Sequence, residues 1–368
     1  MKYKNFSLLI VAGGKSSRLG TDKRFVEVGG VSLLKNIIIK AAKFNFNEIF
    51  LCVEENLPAF NHFEPLGVKI LVDEVKNSGP MAALAVGLSK IHNDWALAVS
   101  TDIPFFNFDA LEPLTSKISD VQAIIPICGG KNQMLAAFYH KNLAKIFSNE
   151  LFSGQRKLFN AIKKIPHEFI EIPREEVFFN VNTRADLILA RGRAENLNRT
   201  PIISIVAPQS GTGKTTFIEK LVKILSEQKI RVGVIKSDAH GFNLDIEGKD
   251  SWKFQSAGAK SVAVVSPNGY FFVERVENQN FLSIAEKMNV DLILTESRTK
   301  NIFPTISLWR GRGEVIKNEK IAAIFTSEPQ KSDDIYQFDI NDMISAEKIV
   351  KFLAGYSMLQ ISRPQFSH

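Results

Sequence analysis

Twice along this chain, a run of apolar residues just long enough for one β-strand empties into a glycine-bearing basic loop: Ser7–Val11 into Ala12–Lys23, and Ile202–Ala207 into Pro208–Lys214. A short, nearly continuous apolar run bounded by glycine reads as a strand buried on both faces, and such strands belong to parallel sheets covered by helices. The loop that follows presents backbone N–H groups, and where glycine removes the Cβ a ligand can approach the chain closely. Cationic side chains on the same loop make it a place to hold phosphate. Two such starts in 368 residues predict two α/β domains.

In the first loop, Val11 and Ala12 lead into Gly13-Gly14-Lys15-Ser16-Ser17-Arg18-Leu19-Gly20-Thr21-Asp22-Lys23. Lys15, Arg18 and Lys23 are suited to neutralising a polyphosphate, arginine as a planar fork and lysine as a point charge. No Gly-Lys-Ser/Thr closes this loop, so it is not a P-loop. Downstream, periodicity predicts a helix over 32–43, strands over 48–53, 68–73 and 95–100, and a helix of small residues following the loop Asn77-Ser78-Gly79-Pro80. This alternation predicts a Rossmann-like parallel sheet, in which ligands bind at the carboxyl ends of the strands. The glycine loop, Asp73 and Asp102 therefore line one crevice although they are far apart in sequence. Asp102, directly after a buried strand and just ahead of Pro104, is a hard oxygen ligand suited to Mg²⁺ beside a nucleotide. Asp73 reads either as a ligand contact or as a cap on the next element. Asn180 and Asn182 alternate with Val181, which predicts two amides on one strand face, each offering donor and acceptor to the edge of a ligand. Thr183 is placed to cap a helix that begins near Ala185.

The segment GGKSSRLGTDK, together with Asp73, Gly79-Pro80-Met81-Ala82-Ala83, Asp102 and Asn180-Val181-Asn182, resembles the signature of the molybdenum cofactor guanylyltransferases, the MobA family. The likeness spans residues 7–187. It implies transfer of GMP from GTP to the terminal phosphate of molybdopterin or molybdenum-molybdopterin, with release of pyrophosphate. It also implies that Lys23, Arg18 and Asp102 act in catalysis, and that GTP is bound by Val11, Ala12, Gly13, Gly14, Lys15, Lys23, Asp73 and Asp102. Asn180 and Asn182 would then hold molybdopterin and Asp102 the Mg²⁺. A family asparagine after the second strand has no counterpart here, where Val53 is followed by Glu54 and Glu55.

Residues 191–200 decay into a basic, polar run before Pro201 and read as a solvated linker between domains at 1–190 and 201–368. Beyond it, a strand, the loop Pro208-Gln209-Ser210-Gly211-Thr212-Gly213-Lys214-Thr215-Thr216 and an amphipathic helix over 215–225 form the context of a P-loop. Its backbone amides would surround the phosphates, Lys214 would reach the β/γ oxygens, and the Thr215 hydroxyl would meet Mg²⁺. Pro208 stands in place of the first P-loop glycine and removes one N–H. With Gly248-Lys249-Asp250-Ser251-Trp252 and Asp291–Ser297, this half is similar over 202–327 to the molybdopterin-guanine dinucleotide adapter proteins, MobB. Ser237 and Ser297 stand where that family usually has histidine and glycine. Glu296, at a strand end, reads as a Walker-B-like acid near Mg²⁺. His240 and Lys300 also fall in the resemblance, and a helix is expected over 346–353.

The remaining composition mainly excludes. The net charge of +7 is spread thinly, with 22 basic against 19 acidic side chains over residues 1–190 and 21 against 19 over 201–368. No basic element stands out as a nucleic-acid footprint. Two cysteines, Cys52 and Cys128, are too few for a disulfide framework and read as buried small hydrophobes. No apolar stretch is long enough to span a bilayer and no signal cleavage site follows the first strand, so a cytoplasmic protein is expected. The expectation is a guanylyltransferase fused to its GTP-binding adapter, whose second domain has scope for weak GTPase activity. Its partners would be GTP, molybdopterin, and apo-molybdoenzymes or their chaperones. The rivals are a cytidylyltransferase or sugar-phosphate nucleotidyltransferase, and a GTP-operated cofactor carrier with no chemistry of its own.

Overall fold

The computed structural model describes residues 3–13, 19–73, 79–118, 120–237, 247–276, 281–297, 302–316 and 318–356. The strands of its two large sheets are numbered here in chain order. In the first sheet these are β1 (Phe6–Val11), β2 (Glu48–Val53), β3 (Val68–Val72), β4 (Trp95–Ser100), β5 (Ala123–Cys128), β6 (Ala136–His140) and β7 (His167–Glu171), with spatial order β7-β5-β6-β4-β1-β2-β3 and a two-residue strand, Lys131–Asn132, beside β5. All neighbours along this path run parallel except β6, which is antiparallel to both β4 and β5. The parallel, Rossmann-like sheet expected from the sequence is thus present, with one reversed strand in it. Gln133–Tyr139 carried no turn-to-helix signal that would have separated a parallel from an antiparallel return.

The period of two along β1 explains the layers. Leu8 and Ile10 enter the core on one face, beneath helix α1 (Leu33–Ala41), while Leu9 and Val11 enter the other, beneath α2 (Pro80–Lys90) and α3 (Leu143–Phe152). In β4, Leu97 and Val99 separate from Ala96 and Ala98 in the same way. Burying an aliphatic side chain of this size contributes about 1.5–3 kcal/mol, so both faces hold β1 in register. The chain moves outward from β1 through β2 and β3, then returns to place β4 on the other side of β1. That reversal opens a crevice at the carboxyl ends of β1 and β4.

Helix α4 (Arg184–Asn196) follows, capped by Thr183. The second sheet contains β8 (Ile202–Val206), β9 (Val232–Lys236), β10 (Leu292–Ser297), β11 (Thr305–Trp309), β12 (Ile321–Thr326) and β13 (Tyr336–Asp339), all parallel and in the order β9-β10-β8-β11-β12-β13. Helices α5 (Lys214–Glu227) and α6 (Met343–Leu353) supply its main core with Phe217, Leu221, Ile349 and Phe352. An antiparallel hairpin, Ser261–Ser266 with Gly269–Glu274, stands apart as its own two-stranded sheet.

The solvated linker expected over 191–200 is corrected by this arrangement. Residues 191–196 are the last turns of α4, and Arg193 and Asn196 are buried. Arg193 donates to the carbonyls of Phe352, Gly355 and Tyr356, and its guanidinium lies over the rings of Phe105 and Phe352. Asn196 bridges Ile202 and Leu353. Arg193 and Asn196, two of the polar residues that suggested solvent, instead satisfy backbone groups between the two sheets.

Candidate functional site

At the crevice beside β1, the ladder continues one step past the strand, where the Ala12 N–H donates to the Cys52 carbonyl at 2.9 Å and delivers the chain to Gly13. Gly14, Lys15 and Arg18 lie outside the described residues. Lys23 opens a short 3₁₀ turn, Lys23–Phe25, whose N-cap Asp22 accepts from the Arg24 N–H. From there its ammonium donates to Asp102 Oδ2 at 2.8 Å and to Asn182 Oδ1 at 3.3 Å. Three segments separated by 79 and 80 residues meet at one nitrogen.

Asp102 is fixed from several sides. The Ser100 hydroxyl donates to its Oδ1, and its own carbonyl accepts from the Val181 N–H at 2.8 Å. Beyond it, the Pro104 carbonyl accepts from both the Asn36 amide and the Lys40 ammonium, each at 2.7 Å. Lys40 is pushed down to about 8 by burial and by the neighbouring Lys43. Ser100 was missed in the sequence, although it lies two positions before Asp102.

Asn180 and Asn182 flank a fully buried Val181 as expected, but not in a strand. The segment joins the 3₁₀ turn Glu175–Phe178 to α4. The Asn180 amide donates to the Phe178 carbonyl while Asn182 meets Lys23, so the expected pair of amides on one strand face is not formed. Without a ladder, side-chain direction follows the loop rather than a period of two.

Asp73 follows β3 and joins the sheet through its N–H, which donates to the Val53 carbonyl at 2.8 Å. Its side chain is buried, Oδ1 has no hydrogen-bond partner among the described residues, and burial together with the Glu54 carboxylate pushes the group up to about 6. A buried acceptor without a donor costs about 1–3 kcal/mol, and this one lies at the carboxyl end of the sheet.

The second loop is built locally. Gly213, at φ 94°, turns the chain into α5, a left-handed conformation that a side chain would strain. The Thr212 hydroxyl donates to the Gln209 carbonyl at 2.8 Å, and the Lys214 ammonium reaches the same carbonyl at 3.4 Å. Ser210, Gly211, Thr215 and Thr216 are exposed on the loop and first helical turn. The Thr215 hydroxyl lies 3.2 and 3.3 Å from the two Glu296 carboxylate oxygens. Adjacent pairing of β8 and β10 places the loop and the acid side by side. Arg310, also missed, donates from Nε to the Thr212 carbonyl at 3.0 Å; its place just after β11 was the available signal. His240 and Lys300 lie outside the described residues.

Among the described residues, no group of three or more histidine, cysteine, aspartate or glutamate side chains gathers as a metal cage, and no helix is long and apolar enough to cross a membrane. Cys52 and Cys128 are both buried, and no disulfide joins them.

The chain matches the family model for the MobA-like NTP transferase domain over residues 8–167 and that for molybdopterin guanine dinucleotide synthesis protein B over residues 202–327. A probable molybdenum cofactor guanylyltransferase from Clostridium perfringens strain 13 is 30% identical over 187 residues, which are 48% of this chain and 91% of that protein. One from Peptoclostridium acidaminophilum is 28% identical over 195 residues, covering 49% and 86%. Among solved structures, molybdopterin-guanine dinucleotide biosynthesis protein A from Archaeoglobus fulgidus aligns over 50% of this chain and 97% of its own, with 21% identity and a TM-score of 0.44. A molybdopterin-guanine biosynthesis protein B aligns over 42% and 99%, with 28% identity and a TM-score of 0.33. The chain belongs to the molybdenum cofactor guanylyltransferase family and carries, behind that domain, one of the molybdopterin guanine dinucleotide synthesis protein B family.

Proposed function

We propose that the first domain transfers GMP from GTP to the terminal phosphate of molybdopterin or molybdenum-molybdopterin, releasing pyrophosphate, and that the second is a GTP-binding adapter. The observation that carries this reading is the meeting of Lys23, Asp102 and Asn182 at the carboxyl ends of β1 and β4, directly beside the glycine loop. The names of the relatives supply the substrate class.

In the proposed reaction, an oxygen of the acceptor phosphate attacks the α-phosphorus of GTP. A new P–O bond forms as the bond from the α-phosphorus to its β-bridging oxygen breaks, and the electron pair leaves with pyrophosphate. The acceptor is already ionised near neutral pH, so no side chain has to remove a proton. The work left to the protein is positioning and charge. Lys23, held between two acceptors, is a fixed cation for the triphosphate, and Gly14, Lys15 and Arg18 would complete the cradle. The orphaned Oδ1 of Asp73 is offered to an N–H or O–H of the nucleoside, and Asn182, with Asn180 nearby, to the pterin substrate. Asp102, and in the second domain Thr215 with Glu296, are hard oxygen donors that suit Mg²⁺, which when bound supplies positive charge against phosphate oxygens. In the second site, Lys214 and the loop amides would hold GTP, and the Thr215–Glu296 pair gives scope for slow hydrolysis.

The test is transfer of label from α-labelled GTP, and separately from α-labelled CTP, to molybdopterin with Mg²⁺, using the intact chain and Asp102→Ala. Transfer from GTP that falls about 10³-fold in the variant supports the proposal. Label moving from CTP alone replaces guanylyl with cytidylyl transfer. No transfer from either, with GTP still bound, leaves a carrier.

A further inference from the structure

The first turn of α4 is assembled by both domains. Its cap is reciprocal: the Thr183 hydroxyl accepts from the Asp186 N–H at 3.2 Å, and Asp186 Oδ2 accepts from the Thr183 N–H at 2.8 Å and the Asn182 N–H at 2.9 Å. Asp186 is only 5% exposed, so its other oxygen also needs a donor, and the Tyr336 hydroxyl of β13 donates to that Oδ1. Another backbone donor of the same turn, the Ala185 N–H, reaches the Asp333 carbonyl just before β13 at 2.9 Å. Two groups of the second domain thus complete a helix start in the first. Asn182, whose backbone is held by that carboxylate, accepts from Lys23 through its side chain.

We propose that Tyr336 is a positioning residue for the first domain's site: its hydroxyl fixes Asp186, Asp186 fixes the backbone of Asn182, and Asn182 holds Lys23 in place beside Asp102. This rests on the reading of Lys23 and Asn182 as groups of nucleotidyl transfer. The physical relay itself is a matter of hydrogen bonds already described. In the Clostridium perfringens relative the aligned stretch is 91% of the protein, which leaves no room there for a domain bearing this tyrosine. The residue is therefore a contribution of the fusion.

Tyr336→Phe removes one oxygen and keeps the ring that packs against Phe338. In the intact chain without substrate, the rate at which an amine-acylating reagent modifies Lys23, followed by peptide mass spectrometry, is expected to rise about threefold. With GTP and molybdopterin, kcat is expected to fall about fivefold while the KM for GTP stays within twofold, in line with loss of a hydrogen bond to a charged group that acts at one remove. In an Asn182→Ala background, the same Tyr336→Phe change is expected to leave both readouts where Asn182→Ala put them. Unaltered Lys23 reactivity, or an equal decline in both backgrounds as general destabilisation would give, overturns the proposal. An absence of guanylyl transfer in the unsubstituted chain would strike the proposed function and leave the Lys23 readout to decide this one.

Discussion

The two phosphate-type loops of this chain are built in opposite ways. The second is built mostly within itself: Gln209, Thr212 and Lys214 close on one another within a few residues, and Glu296 and Arg310 reach in from the ends of neighbouring strands. The first has little meaning without the sheet. Lys23, Ser100, Asp102 and Asn182 come from distant segments and are brought together by the reversal of strand order beside β1. A local loop can be moved between folds with its chemistry intact, whereas an assembled site depends on the packing of everything that carries it. Damage should therefore spread differently at the two sites.

Exchanging the lysines would break this contrast most directly. Lys23→Gln is expected to lower guanylyl transfer about 10²- to 10³-fold, because a fixed cation at the reacting phosphates is lost. Lys214→Ala should show its loss in binding, about 50-fold in the affinity of the second site for GTP, as expected for a charge-assisted hydrogen bond. Measured by label transfer and by nucleotide titration of the two variants, equal effects on both readouts would mean that the sites are not separate.

Asp73 sharpens the comparison through pH, since its buried Oδ1 has no donor among the described residues, a feature that the carboxylate beside the second loop, Glu296, does not share. Its pKa is raised, so the folded chain binds a proton that the unfolded chain releases. Stability from this group is present below the ordinary carboxylate range and lost as pH rises through about 6. Asp73→Asn should therefore be more stable than the parent at pH 7.5, by about 2 kcal/mol, with the gap closing near pH 4. Denaturant midpoints at the two pH values, without nucleotide, measure it. A constant gap would mean that Asp73 has a donor in the folded chain.

The smallest effect is expected at the local loop. Pro208→Gly restores one N–H to the P-loop without touching Lys214, and should tighten GTP at the second site by no more than about threefold. Weaker binding in that variant would mean that the proline's fixed φ matters more than the missing donor.

What could be read from the sequence follows the same division. The strand, turn and helix around Lys214 were legible because the motif is contiguous and its context is local, and Glu296 was singled out separately, by its place at a strand end. Asp102 and Lys23 were legible through the rule that ligands gather at carboxyl strand ends. The reversed strand β6 was not, because direction in a sheet leaves no mark on an apolar run. The strand expected at Asn180–Asn182 failed for a related reason: alternation of burial survives in an extended loop with no partner strand. Arg193 misled most, since an arginine in a polar run normally signals solvent, whereas here the carbonyls of Phe352, Gly355 and Tyr356 and the rings of Phe105 and Phe352 make its burial tolerable.

Helix α4 decides how the chain can be divided. Its Leu187 and Ala190 pack with Leu33 and Val181, its Ala185, Ile188 and Leu189 belong to the core under the second sheet, and at Gly192 a Cβ would come within 2.8 Å of Leu353 Cδ2 and 3.1 Å of Pro304 Cβ. Two domains joined by a solvated string can be parted by a single cut, and each keeps its own core. Here a cut before the helix would rob the second half of part of its core, and a cut after it would leave the first half with a greasy flank. Whichever side of the helix the cut falls, apolar surface that is now buried meets water, so the two halves are held as one unit by a segment that neither can give up without loss.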